Sequence, residues 1–312
     1  MNILHSFSHT DLALELKDEL EESCEREQFF EGITVSHKEI GKKGPKETVI
    51  KIESEAGEKQ LGKPQGIYIT LEGENMAGND GGFHEEMSNH LAKRLAKLLL
   101  GRKKLLFIGL GNGEVTPDAL GPLVIKNLFV TRHLKGWKEV EGCPVVAALA
   151  PGVMAQTGME TGEIVEGIVK KIHPDALIVI DALAAKSSER LNRTIQISNT
   201  GIAPGSGVGN QRNEITEKTM GVPVIALGVP TVISIPSLAC DIMDSFCDSQ
   251  GEKMEDTFSS WPESEKYRFL GEILDAKLWE LFVTPKEIDE AVKRISYTLS
   301  EGINQFVSSR TS

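Results

Sequence analysis

The sequence has few aromatic residues, few cysteines and a shortage of positive charge. Phe, Trp and Tyr make up 5% of its 312 residues, against 40% for hydrophobic residues together. A core of that size must be mostly Ile, Val, Leu and Ala, a composition typical of parallel sheets buried on both faces. The four cysteines (Cys24, Cys143, Cys240 and Cys247) form no C-x-x-C pair and show no usual zinc-knuckle spacing. Reduced thiols in a reducing compartment are expected. Lys and Arg number 34 against 46 Asp and Glu, a formal net charge of −12. Direct nucleic-acid binding or attachment to an anionic membrane through a broad basic surface is therefore not expected. No apolar run reaches the roughly 18–20 residues of a spanning helix, and no signal-peptide pattern is present, so a cytoplasmic protein is expected.

What is present is an alternation of strand and helix patterns. Residues 11–31 form an acid-rich amphipathic helix pattern. Residues 33–74 carry short mixed runs, Val49 to Ile52 and Ile67 to Leu71, which suggest a small antiparallel subregion. A loop over 75–83 precedes a helix to about Leu100. From residue 104 the apolar runs KLLFIGL, PVVAALA, ALIVIDAL, RTIQIS and VPVIALGV alternate with helical stretches. That order predicts an α/β fold: three αβα layers around a mostly parallel sheet. TPDALGPLVIKNLFVTRHL is expected as one helix, capped by Thr116 with Pro117 in its first turn. Helix 157–173 is expected to present Ile164, Ile168 and Ile172 on one stripe. Residues 247–262 look loop-like. Residues 263–308 look helical, with Pro285 opening a last helix after Thr284.

Three places can carry chemistry. Gly109-Leu110-Gly111-Asn112-Gly113 links a strand to the Thr116-Pro117-Asp118 turn, where open α/β sheets place ligands. Position 114 is Glu rather than Gly and no Lys-Ser/Thr follows, so neither a dinucleotide fingerprint nor a phosphate loop is formed. Asp118 falls in a first helical turn. An acid there commonly complements the helix dipole, and the same dipole suits a carboxylate base or metal ligand. Asp181 follows the wholly apolar Ala176 to Ile180. It is either an exposed strand tip or an acid facing a cleft at the carboxyl edge of the sheet. In a parallel sheet Asp118 and Asp181 share that edge, where two carboxylates can share a proton or hold a divalent metal. The glycine-rich stretch Asn199 to Asn210 is a plain loop or a source of oxyanion-binding N–H groups. Ser206 lies in no G-x-S-x-G elbow, and the seven histidines show no H-E-x-x-H spacing.

At GLGNGEVTPDALGPLVIKNLFVTRHL (109–134), at 151–210, at GVPVIALGVPTVI (221–233), at VTPKEID (283–289) and at TDLALE (10–15), the sequence resembles the germination protease family of spore-forming bacteria. The resemblance covers nearly the whole chain. It implies an atypical aspartic endopeptidase with a fold similar to hydrogenase maturation proteases. The activity it implies is initial breakdown of small acid-soluble spore proteins in the spore core at germination. Asp118 in TPDALG and Asp181 in VIDALAA then take the places of the catalytic aspartates. The resemblance further implies a homotetrameric zymogen that removes its own N-terminal propeptide. An acidic, then a large apolar residue, then Ala is the family's preference, and Asp11-Leu12-Ala13 fits it. Residues 1–11 are thus expected as propeptide and 12–312 as one peptidase domain. Ser8 stands where family substrates tend to carry an acid. No cofactor is implied. The alternatives are a metal-dependent, maturation-type peptidase and a non-catalytic binding protein of the same fold. Arg190 and Arg193 are candidate readers of acidic substrate side chains.

Overall fold

In the computed structural model, which describes residues 10–23, 31–41, 44–134, 136–205, 213–249 and 258–309, the apolar runs join one nine-stranded sheet. Its strands are β1 (Ile33–Glu39), β2 (Lys46–Ile52), β3 (Gly66–Glu72), β4 (Lys104–Gly109), β5 (Val145–Leu149), β6 (Ala176–Ala185), β7 (Thr194–Ser198), β8 (Val224–Ser234) and β9 (Phe282–Val283). They lie in the order β1-β2-β3-β7-β8-β6-β4-β5, with β9 paired to β8. The core β8-β6-β4-β5 is parallel, as the strand–helix alternation predicts. β1, β2, β3 and β7 extend it antiparallel on one side. The expected antiparallel subregion is therefore continuous with the main sheet.

The helices are α1 (Ala13–Ser23), α2 (Glu55–Leu61), α3 (Gly81–Leu98), α4 (Leu120–Lys126), α5 (Met154–Thr157), α6 (Thr161–Ile172), α7 (Glu217–Met220), α8 (Ile235–Ser249), α9 (Glu263–Ile273), α10 (Ala276–Trp279) and α11 (Ile288–Ser308). Successive strand residues point to opposite faces, and the two cores follow that period. Leu105, Phe107, Ile178 and Ile180 pack under α3, α4 and α11, whereas Leu106, Ile108, Leu177 and Val179 pack under α6 and α7. On this second face α1 covers Ile50, Ile52 and Tyr68. Three layers result.

Several expected boundaries move. The helix expected over 116–134 is a 3-10 turn at Thr116–Asp118, then α4 of seven residues, then a second 3-10 turn at Arg132–Leu134. Thr116 is not its cap. Its hydroxyl donates to Asp289 of α11 at 2.7 Å. The helix stops because residues beyond Asn127 are held elsewhere: Asn304 binds Asn127 O and Phe129 N, and Thr131 bonds Pro144 O and Val146 N beside β5. The buried stripe of α6 is Val165 and Val169, with Ile168 and Ile172 packed beside it. The segment expected as a loop from residue 247 begins inside α8, and residues 250–257 lie outside the described set. α11 starts at Ile288, three residues after Pro285, whose carbonyl accepts from Ile288 N–H. Residues 24–30 of the expected first helix, Cys24 included, also lie outside the description; Cys143, Cys240 and Cys247 are free thiols. Among the described residues no helix is long and apolar enough to cross a membrane.

β2 is tied to α3 by a buried ion pair. Glu47 is 2% exposed and accepts from Arg94 and His90. Burial alone would raise its carboxyl, but the bonds from Arg94 and His90 outweigh that and hold it below the ordinary value. Its stabilising contribution is therefore present above the ordinary carboxylate range and is lost as pH falls through the lowered value. Glu47→Ala leaves Arg94 without this partner and is expected to cost about 3–5 kcal/mol. Thermal unfolding at neutral pH checks this, and an unchanged melting temperature would contradict it.

Candidate active site

Asp118 and Asp181 line one cavity of 390 Å³ at the carboxyl ends of the parallel strands. Asp181 lies inside β6, not beyond its end, because the strand continues to Ala185 along β8. The exposed strand tip considered for it is thus corrected: the residue is buried, 6% exposed, and its carboxylate accepts from Ala182 N–H at 2.9 Å. On its face of the sheet the pairing sets Asp181 beside Gly228 of β8 and Gly228 beside Gln196 of β7. Asp181 and Gln196 are therefore two strand spacings apart, about 10 Å between backbones, with the Leu183 side chain packed over Gly228 between them.

Glycines bring Asp118 to this edge. Gly111 has φ +104, and a Cβ there would lie 2.0 Å from the Asp118 carbonyl oxygen. A Cβ on Gly121 would fall within 2.7 Å of Leu110 and Ile180 backbone atoms. Only glycine lets the 116–121 turn settle onto the ends of β4 and β6. Asn112 N–H then donates to Asp118 Oδ2 at 2.7 Å, and Asn112 is itself steadied by Gln156. Thr231 of β8 donates to Pro117 O at 2.7 Å and locks the turn from the other side.

The same cavity is lined by Asp11. Its carboxylate accepts from Ala184 N–H at 3.1 Å, and the next two residues, Leu12 and Ala13, are fully buried. Asp11 also borders a second cavity of 260 Å³, lined by Lys63, Gln196 and Thr200 among others. Asp11 thus lies in the groove that holds both aspartates, with Thr10, Leu12 and Ala13 buried beside it. α1 anchors them. Glu15, 5% exposed, accepts from Lys186 N–H, Ser187 N–H and the Thr10 hydroxyl. Asp18 pairs with Arg190, and Glu19 with Lys186.

Arg190, a candidate substrate reader, is engaged otherwise: it bridges Asp18 of α1 and Glu72 of β3. Of the glycine-rich stretch, Pro204 and Gly205 reach the cavity, while residues 206–210, Ser206 included, lie outside the described residues. Two contacts to residues 10–13 were not singled out from sequence, Lys63 and Gln196. Lys63 follows Gly62, which ends α2, a helix hidden within a β-type region. Gln196 sits in TIQIS, where alternation alone marks a polar residue as solvent-facing. Among the described residues no three His, Cys, Asp or Glu side chains group as a metal-binding set.

A family model described as germination protease matches residues 10–261. The chain belongs to the germination protease family. Similar members include germination proteases from Caldanaerobacter subterraneus subsp. tengcongensis, 44% identical over 95% of this chain and 92% of that one, and from Clostridium perfringens, 42% identical over 95% and 93%. A germination protease from Bacillus cereus is 38% identical over 95% of this chain and 92% of its own. Among solved structures, the hydrogenase maturation protease HycI from Thermococcus kodakarensis aligns with 67% of this chain and 98% of its own, at 16% identity and a TM-score of 0.35.

Burial raises the Glu15 carboxyl above its ordinary value, with the Thr10 hydroxyl, the two backbone donors and Arg190 opposing. A raised carboxyl contributes stability fully below its ordinary pKa, and that contribution is lost as pH rises through the raised value. Docking of α1 should therefore loosen over that rise. Hydrogen exchange of α1 amides, corrected for intrinsic rates, should show the loosening in the parent and not in Glu15→Gln. Protection that is independent of pH in the parent would contradict it.

Proposed function

We propose that this germination protease is an aspartate-dependent endopeptidase that begins the breakdown of small acid-soluble spore proteins, and that it matures by cutting its own chain between Asp11 and Leu12. The observation that carries this reading is the meeting of three acids in one cavity, Asp118, Asp181 and Asp11, the last belonging to the segment to be cut. Asp118, fixed by Asn112 N–H, takes a proton from water as that water attacks the carbonyl carbon of residue 11. Asp181, in its protonated form, gives its proton to the amide nitrogen of Leu12 as the C–N bond breaks. The products are a carboxyl and an amine. Transfer of the proton from Asp118 to Asp181 resets the pair. The carboxylate of residue 11 is held by Ala184 N–H, which fits an acidic residue before the cut.

Residues 1–11 are the proposed propeptide, and the cut leaves residues 12–312 as the peptidase domain, acting in the spore core. The assembly proposed is a homotetramer, whose mass by light scattering before the cut should be four times the 34.1 kDa full-length chain. No resident metal is invoked, so exhaustive treatment with a chelator is expected to leave cleavage intact; loss restored by one divalent ion would support the metal reading instead.

Asp118→Asn and Asp181→Asn are each expected to lower self-cleavage and spore-protein cleavage by about 100-fold or more while remaining folded. N-terminal sequencing of matured parent protein should begin at Leu12. Full activity in folded Asp181→Asn, or a mature terminus elsewhere, would overturn the respective part of the proposal. Mature protein that cuts no spore protein would point to a binding role.

A further inference from the structure

Asp11 lies in the groove with its carbonyl held from two directions. Gln196 Nε2 donates to Asp11 O at 2.8 Å, while Gln196 Oε1 accepts from Ala13 N–H at 2.6 Å. A single amide thus grips the backbone on both sides of Leu12. Lys63 Nζ reaches the same carbonyl oxygen of Asp11 at 3.3 Å and the Thr10 carbonyl at 3.3 Å. The two donors come from opposite parts of the antiparallel flank: Lys63 from the turn after α2, Gln196 from the middle of β7. Burial holds the Lys63 ammonium below its usual value, opposed by attraction to Asp11 and Glu15. A half-buried ammonium against a carbonyl is an arrangement suited to receiving negative charge.

We propose that Gln196 and Lys63 form the oxyanion-binding pair of this peptidase. The assignment rests on the proposed cut between Asp11 and Leu12. When water adds to the residue 11 carbonyl carbon, the π electrons of C=O move onto oxygen. That oxygen becomes an anion while still within reach of the Gln196 N–H and the Lys63 ammonium. Collapse restores the C=O bond and expels the Leu12 nitrogen, which takes the proton from Asp181. Both donors are fixed before the reaction, so they gain strength as charge develops with little reorganisation. Gln196 has a second task, since its acceptor end sets the register of the peptide by holding the N–H two residues beyond the carbonyl.

The test uses the full chain and follows its own conversion by intact mass across a pH series. Gln196→Glu keeps the side-chain length and the acceptor for Ala13 N–H, but as a carboxylate it cannot donate to the carbonyl. It is expected to convert about 100-fold or more slowly at neutral pH, the typical loss for one oxyanion donor. At acid pH a protonated Glu regains an O–H donor, so its rate should recover toward the parent's. Lys63→Met should be slowed comparably, and Lys63→Arg should stay within about tenfold of the parent. Thermal unfolding within about 5 °C of the parent certifies each variant, and Gln196→Glu alone decides if Lys63→Met unfolds. A docking role through the acceptor end alone predicts no slowing, because Glu keeps that acceptor. That result, or slowing that does not recover at acid pH, overturns the pair alone. A parent chain that never converts overturns the proposed peptidase site and this pair with it.

Discussion

The amide of Gln196 holds the backbone of residues 11 and 13 against the open face of the sheet, and the functional geometry depends on that grip. The strand pairing sets Gly228 between Gln196 and Asp181. The space over that glycine is filled by the side chain of Leu183, which a Cβ on Gly228 would meet at 2.5 Å. The glycines at 111 and 121 let the Asp118 turn approach within backbone contact.

The anchoring of the segment is electrostatic as much as apolar. Leu12 and Ala13 are buried, but α1 is positioned by Glu15 on the backbone of 186–187 and by Asp18 and Glu19 on Arg190 and Lys186. The acid-rich character of the first helix, unremarkable as a solubility feature, therefore has a structural use. The same acids account for Arg190, which bridges α1 to β3 and so is committed to holding the groove's occupant in place.

Much of this was legible in the sequence. The apolar run before Asp181 and the glycines before Asp118 placed both acids at one edge, because a parallel core has only one carboxyl edge. The runs could not show that β6 continues past Asp181, since strand length there is decided by pairing with β8 and not by residues 181–185 alone. Nor could they show α4 ending after seven residues, because Asn304, nearly two hundred positions away, and Thr131 beside β5 capture the chain beyond it. Lys63 and Gln196 carried no local signal. A lysine after a glycine and a glutamine in an alternating strand are ordinary until the fold sets residues 10–13 between them.

We propose that Asp11, held in the groove of Asp118 and Asp181, precedes a bond cut within the same chain. A mixing experiment separates this from cutting between chains. Full-length Asp181→Asn chain carrying a mass label is incubated with unlabelled active chain, and both are followed by intact mass. First-order conversion of the active chain at a rate independent of dilution is expected, with the labelled chain left uncut because its Leu12 is buried. Cleavage of the labelled chain after Asp11 at a rate matching the active chain's own conversion would contradict it.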